Sequence, residues 1–264
     1  MGASILTDLT RCIGCGACTL VCKETNDLRY SEVDQLDAYT WCAISKQKSL
    51  YVKRQCMHCL EPTCVSVCPV GALNRNATGA VTYDQDKCFG CRYCVMACPF
   101  GIPKYQWDTP LPRMGKCIMC HEKRLMKGQQ PACTEVCPAH ATIFGDRDEL
   151  LSLAHERLAA EPKKYVPEVY GEHLAGGTSV LYLSSIPFGE LGLPTGLMKD
   201  PYPRLTWAIL NKLPAVVSIG GLLLTGAYVT IGRRIKLARE AKAALGAGTK
   251  RPPAPAGPAK GGES

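Results

Sequence analysis

Residues Cys88 to Pro99, CFGCRYCVMACP, constrain this chain more than any other stretch. The pattern is C-x2-C-x2-C-x3-C-P. Three thiolates at that spacing close on one [4Fe–4S] cubane, and the fourth points away to ligate a neighbouring cluster. The loop must turn tightly to aim three sulfurs at one point, and Gly90 supplies the backbone freedom. A run that gives away its fourth sulfur needs another run to trade with.

Three further blocks are present. Block one is Cys12, Cys15, Cys18 and Cys22, with Lys23 where the closing proline would stand. Block two is Cys56, Cys59, Cys64 and Cys68, closed by Pro69 after a middle gap stretched to four residues. Block three is Cys88, Cys91, Cys94 and Cys98. Block four is Cys117, Cys120, Cys133 and Cys137, closed by Pro138, with twelve residues (HEKRLMKGQQPA) in its middle gap, enough for a short helix or surface loop. Sixteen of the seventeen cysteines are thereby used, and Cys42 is left over as a small buried hydrophobe. Secreted disulfide scaffolds do not repeat cysteines in such blocks. Block four alone also fits a structural zinc site, but it stands beside three blocks of the ferredoxin type. His58 and His121 lie inside complete blocks and read as loop or supporting residues.

Each block offers three clustered sulfurs and one outlier, so the blocks work in pairs. Two and three are adjacent and flank a strand–turn–strand over Gly71 to Val81. One and four are left to each other, closing the chain on itself. The expected fold is α+β: two interlocked bacterial-ferredoxin-like 2x[4Fe–4S] modules, an extension, and one C-terminal transmembrane helix. The first module takes residues 1–50 plus 104–145, and the inserted module takes 51–103. Residues 23–50 read as connecting loop with a short strand near Tyr39 to Ile44. The extension, 146–204, packs on the core or on a partner. It holds an amphipathic helix over Asp146 to Ala159, with a capping box from Asp146 and Glu149 and an apolar face of Leu150, Leu153, Ala154 and Leu158. Thr178 to Ser184 reads as a strand.

Leu213 to Ile231 runs nineteen residues without a charge. A helix of that length rises roughly 28 Å, close to the hydrocarbon thickness of a bilayer. Trp207 and Tyr228 sit where interfacial aromatics belong, and Ser218, Gly221 and Thr225 put small residues on one face. The transmembrane helix is assigned to 205–232 and a basic, disordered tail to 233–264. After Gly232 come eight basic and two acidic residues, so the tail carries +6 of the net +8, leaving no basic nucleic-acid-binding face on the body. Positive flanks stay cytoplasmic. The reading is therefore a single-pass protein of the plasma (inner) membrane, with its cluster domain periplasmic and its C-terminus cytoplasmic. The first ten residues, MGASILTDLT, show neither the basic nor the apolar region of a cleavable signal, so export with a signal-bearing partner is expected. No P-loop and no dinucleotide fingerprint occurs, since Gly14 and Gly16 belong to a cluster loop.

The stretches QCMHCLEPTCVSVCPVGAL, CRYCVMACPFGIPKY, PACTEVCPAHATIFG and YGEHLAGGTSVLYLSSIP, with one carboxy-terminal span, resemble the iron–sulfur subunits of membrane-bound respiratory oxidoreductases. The nearest likeness is to the four-cluster subunit of uptake nickel–iron hydrogenases, with the beta subunit of respiratory formate dehydrogenase a near second. The resemblance covers residues 4 to about 235. It implies a non-catalytic chain that passes electrons from a catalytic subunit, of nickel–iron or molybdopterin type, to a quinone-reactive membrane subunit. It also implies four ligand sets: Cys12, Cys15, Cys18 with Cys137; Cys117, Cys120, Cys133 with Cys22; Cys56, Cys59, Cys64 with Cys98; and Cys88, Cys91, Cys94 with Cys68. Relatives with tryptophan in block three hold a three-iron cluster there; Cys91 implies four cubanes here. The hydrogenase type often carries its own twin-arginine signal, which this chain lacks, and that keeps the formate dehydrogenase reading open.

Overall fold

Four cysteine loops, each running into a short helix, set the course of the backbone. The computed structural model describes residues 2–31, 34–110 and 112–247. β1 (Ala3–Asp8) precedes the first loop, which enters α1 (Ala17–Thr25). β2 (Ala43–Gln47) and β3 (Leu50–Arg54) form a hairpin, and the second loop enters α2 (Thr63–Ser66). β4 (Leu73–Arg75) and β5 (Val81–Tyr83) pair before the third loop and α3 (Tyr93–Ala97). β6 (Lys104–Tyr105) pairs with β7 (Met114–Gly115), and the fourth loop enters α4 (Ala132–Glu135). β8 (Thr142–Asp146) feeds α5 (Arg147–Ala160), and β9 (Val180–Leu183), α6 (Tyr202–Leu210) and α7 (Leu213–Ala247) follow.

The loops come in two kinds, for reasons visible in the sequence. The tight blocks, one and three, enter their helices through a left-handed residue, Gly16 or Arg92. The stretched blocks, two and four, enter through an extended proline, Pro62 or Pro131, whose ring suits the start of a helix. One helix of each kind packs on the other: α1 on α4, and α2 on α3.

A three-stranded sheet, ordered β8-β1-β9, ties the ends of this arrangement together. β1 lies before block one and β8 after block four, and they pair antiparallel with Ala3 opposite Asp146 and Thr7 opposite Thr142. β9 joins parallel to β1, with Ile5 opposite Val180 and Asp8 opposite Leu183. Both faces are covered, so alternate side chains enter different cores. Ile5, Val180 and Tyr182 face the core that holds Cys18, Cys22, Cys56, Cys117 and Cys133. Leu6, Leu181 and Leu183 face α5, where Leu150 and Ala154 are buried and Leu153 and Leu158 partly so. Asp146 caps α5 by accepting a hydrogen bond from the Asp148 N–H at 3.0 Å. Asp8, at the end of β1, is buried and accepts from the Tyr165 hydroxyl at 2.9 Å and from Arg157 at 3.2 Å.

Two expectations, the strand near Tyr39 to Ile44 and the disordered tail, need correction. The strand foreseen near Tyr39 to Ile44 begins only at Ala43, and its hairpin partner β3 was not foreseen. β3 reads as polar because Lys53 occupies one of its buried positions. The extension packs on the core: β9 is a strand of the sheet, and Tyr170, Phe188 and Leu191 belong to the main core. The tail is helical where it is described, as α7 continues to Ala247; residues 248–264 lie outside the described residues. The chain divides between Thr206 and Trp207 into two units. The proposed cluster modules and the extension therefore share one unit.

In the second unit, α7 is 35 residues long. One helix among the described residues, Tyr202–Leu245, is long and apolar enough to cross a membrane, and no part of its most apolar window is buried. Leu222, Leu223 and Leu224 are all exposed. The Thr230 hydroxyl donates back to the Gly226 carbonyl at 2.8 Å, which satisfies a polar group within the helix.

The sheet's two-sided burial makes β1 the most sensitive strand. Leu6→Ala should lower stability by about 2–5 kcal/mol through loss of contact and an unfilled cavity. A thermal melt of the cluster-loaded protein showing an unchanged Tm would contradict this account of the sheet.

Candidate metal centres

The tight loops need glycine where the chain turns under an aromatic ring. Gly14 has φ of 72°, and a Cβ there would lie 2.4 Å from the Tyr51 ring. Gly90 has φ of 80°, and a Cβ there would lie 2.6 Å from the Tyr105 hydroxyl. Only glycine meets both demands, so the ring can close the loop and leave its sulfurs facing inward.

None of the seventeen cysteines is in a disulfide. Their electrostatic neighbours group them across the blocks. Burial pushes the Cys12 thiol up, and among sulfurs Cys18, Cys137 and Cys15 push it further. Burial raises Cys22 well above the usual thiol range, reinforced by Cys117, Cys133 and Cys120. The same holds for Cys59, where burial is followed by Cys56, Cys98 and Cys64. Cys94 is pushed to about 11 by burial and by Cys88, Cys91 and Cys68. Each group takes three sulfurs from one block and one from another. Such crowding of thiols is unfavourable for the bare anions, and a cationic centre among them would relieve it.

Two cavities coincide with these groups. One is lined by Cys22, Cys117, Cys120 and Cys133, together with Gln55. The other is lined by Cys68, Cys88, Cys91 and Cys94, with Tyr83 and Tyr105 beside them. Among the described residues, no group of three or more His, Cys, Asp or Glu side chains is gathered closely enough to hold a single metal ion. The sulfurs of each of these two groups line one cavity. Backbone donors already aim at some of them: the Met119 N–H at Cys117 Sγ (3.3 Å) and the Ala72 N–H at Cys68 Sγ (3.2 Å).

Several polar groups in this core carry no partner. Lys53 Nζ, Gln55 Nε2 and His58 Nε2 are buried without a hydrogen bond. His58 accepts the Val81 N–H at Nδ1 (2.9 Å), so its Nε2 is the protonated nitrogen and a donor. Burial, with Lys116 and Arg75 nearby, keeps this ring neutral. All three orphans are donors; Lys53 and Gln55 lie just before block two and His58 lies within it. Buried donors without acceptors are rare in folded proteins, and anionic clusters are the acceptors this core lacks. The residues present therefore fit the group.

Neither histidine joins a sulfur group as a ligand: His58 is a buried supporting residue, and His121 pairs through Nδ1 with the Thr78 hydroxyl at 3.1 Å. Cys42 is buried, as expected for a small apolar residue, but it also hydrogen-bonds Cys18 and thereby lowers that thiol to about 6. Sequence reasoning did not single out Lys53, Gln55 or Lys116. The available signal was position, since residues 53 and 55 immediately precede Cys56 and residue 116 precedes Cys117.

A fold of paired cysteine loops, with cysteines of two blocks lining one cavity, defines a ferredoxin-type iron–sulfur protein. The 4Fe-4S dicluster domain family matches residues 47–147. The chain is 41% identical over 236 residues to the hydrogenase-2 operon protein HybA of Shigella flexneri, an alignment covering 72% of this chain and 72% of that protein. It is 35% identical over 257 residues to the formate dehydrogenase iron-sulfur subunit of Haemophilus influenzae, covering 88% and 81% respectively. It is 36% identical over 253 residues to the nitrate-inducible formate dehydrogenase iron-sulfur subunit of Escherichia coli, covering 86% and 84%. The chain belongs to this family of iron–sulfur subunits.

Because Gly14 and Gly90 sit beneath rings, Gly14→Ala should displace Tyr51 and open the first loop. Iron content should fall in Gly14→Ala, while alanine at Gly16, whose Cβ would meet nothing within 4 Å, should retain more of it. Equal iron in both variants, measured by metal analysis, would remove the steric argument.

Proposed function

We propose that this chain is the electron-transfer subunit of a membrane-bound respiratory oxidoreductase, carrying electrons through four [4Fe–4S] clusters from a catalytic subunit to a quinone-reactive membrane subunit. When bound, each cluster supplies a site that takes up and releases one electron. The chain's own residues ligate the clusters, exclude water from them and set their order. The observation that carries the reading is the pair of cavities, each lined by three cysteines of one block and one of another. The proposed ligand sets are Cys12, Cys15, Cys18 and Cys137; Cys22, Cys117, Cys120 and Cys133; Cys56, Cys59, Cys64 and Cys98; and Cys68, Cys88, Cys91 and Cys94. They make two interlocked modules, in keeping with the packing of α1 on α4 and α2 on α3.

Electrostatic neighbours between sets support an order. Cys133 is influenced by Cys18, Cys117 by Cys56, and Cys64 by Cys94. The route then runs from the block-one set through the block-four and block-two sets to the block-three set. Cys15 is exposed at the block-one end, Phe89 and Tyr93 are exposed beside block three, and the block-four set, Cys22, Cys117, Cys120 and Cys133, is buried throughout. Electrons can enter and leave at the surface while the block-four set stays dry. Every proposed cluster has four protein sulfurs, which leaves no open iron position for substrate and makes the chain non-catalytic.

The catalytic partner in this reading is a nickel–iron hydrogenase subunit. A formate dehydrogenase or other molybdopterin subunit is the second reading, favoured by the longer coverage of the formate dehydrogenase relatives. The apolar helix anchors the chain in the inner membrane by a single pass. Arg233, Arg234, Lys236, Arg239 and Lys242 at its C-terminal end belong on the cytoplasmic side, with the cluster unit periplasmic and exported with a signal-bearing partner.

Ligand exchange has a direct test. Cys22→Ala should abolish the same EPR signal as Cys117→Ala, and Cys137→Ala the same signal as Cys12→Ala. Loss of one signal by both Cys12→Ala and Cys22→Ala would show instead that each block serves one cluster. Metal analysis of the complex purified through this chain should return nickel; molybdenum or tungsten would move the assignment to the second reading.

A further inference from the structure

Lys53 is the most unusual residue in the cluster unit. It lies on β3, its relative exposure is 0%, and its Nζ has no hydrogen-bond partner. The groups that surround it most closely in charge terms are the sulfurs of Cys133, Cys42 and Cys18, followed by Tyr182. No carboxylate is among those influences. Two of these sulfurs belong to different proposed sets, Cys18 to the block-one set and Cys133 to the block-four set. Lys53 also lowers Cys22 of the latter set.

An ammonium this deep is strongly disfavoured unless anionic charge surrounds it. Lys116 makes the contrast: it is also buried, but its Nζ donates to the Val81 carbonyl and, at 2.9 Å, to the Cys117 carbonyl. Lys53 has no such acceptor, and the hairpin carries it to the seam between two sulfur groups. Thiolate-ligated clusters are net anions, and each electron they accept adds negative charge. A fixed positive charge in a dry interior favours the more negative, reduced state of whatever lies beside it.

We propose that Lys53 is a buried counter-cation shared by the block-one and block-four clusters, and that its charge raises the reduction potentials of these two clusters and not of the other two. The inference rests on the ligand sets proposed above. It assigns to one lysine the task of matching two successive sites, so that an electron passing between them meets no large step.

The test is a redox titration of the intact complex, followed by EPR, in the unmodified protein and in Lys53→Met and Lys53→Arg. Iron analysis comes first: a count far below sixteen atoms per unmodified chain would overturn the four-cluster reading itself, whatever Lys53 does. With full loading, Lys53→Met should move two of the four reduction steps to more negative potential and leave two in place, and Lys53→Arg should keep all four near their original values. Four unmoved steps, or four steps displaced together, would overturn the proposal, as would Arg and Met variants displaced alike. Where Lys53→Met loads poorly, full loading in Lys53→Arg supports the counter-cation, and equal loss in both variants refutes it. A lowered Tm with unmoved potentials would assign Lys53 a packing role only and would also refute it.

Discussion

The governing constraint is the need to bring sulfurs from separate loops around spaces large enough for iron clusters without leaving the surrounding backbone unsatisfied. The stretches around the sulfurs contain little regular secondary structure, and α2, α3 and α4 are only four or five residues long. Such short helices cannot stand alone. Their order comes from packing in pairs and from the thiols they present, so cluster and fold depend on one another.

The sheet resolves the topological side of this problem. A chain that pairs its first cysteine block with its last must bring distant ends together, at an entropic cost that grows slowly with loop length. β1 and β8 provide the clasp, and β9 seals the other edge of β1. The same strand separates the sulfur-bearing core from the aliphatic core under α5, because successive side chains point to opposite faces. The extension is therefore part of what holds the cluster loops closed.

The polar interior follows from the same logic. A core built to surround anions can hold donors that an ordinary apolar core would reject. Lys53, Gln55 and His58 are such donors, unpaired among protein groups yet placed where cluster charge belongs. Cys42 fits the same pattern, since it hydrogen-bonds Cys18 although it is not among the proposed ligands.

Sequence alone determined the sixteen cysteines, their division into four blocks, the strand–turn–strand between blocks two and three, the amphipathic helix α5 and the apolar span. These are local features, carried by spacing and periodicity over a few turns. β3 stayed hidden, because a lysine on a buried face imitates a solvated strand. The integration of β9 into the sheet stayed hidden too, because pairing between residues 5 and 180 leaves no local trace. Only the tertiary structure decided which sulfurs crowd one another across blocks, which donors lack partners, and that Lys53 lies between two sulfur groups. The physical reason is that charge and desolvation depend on neighbours in space, and those neighbours come from separate segments of the chain, as with Cys12 and Cys137.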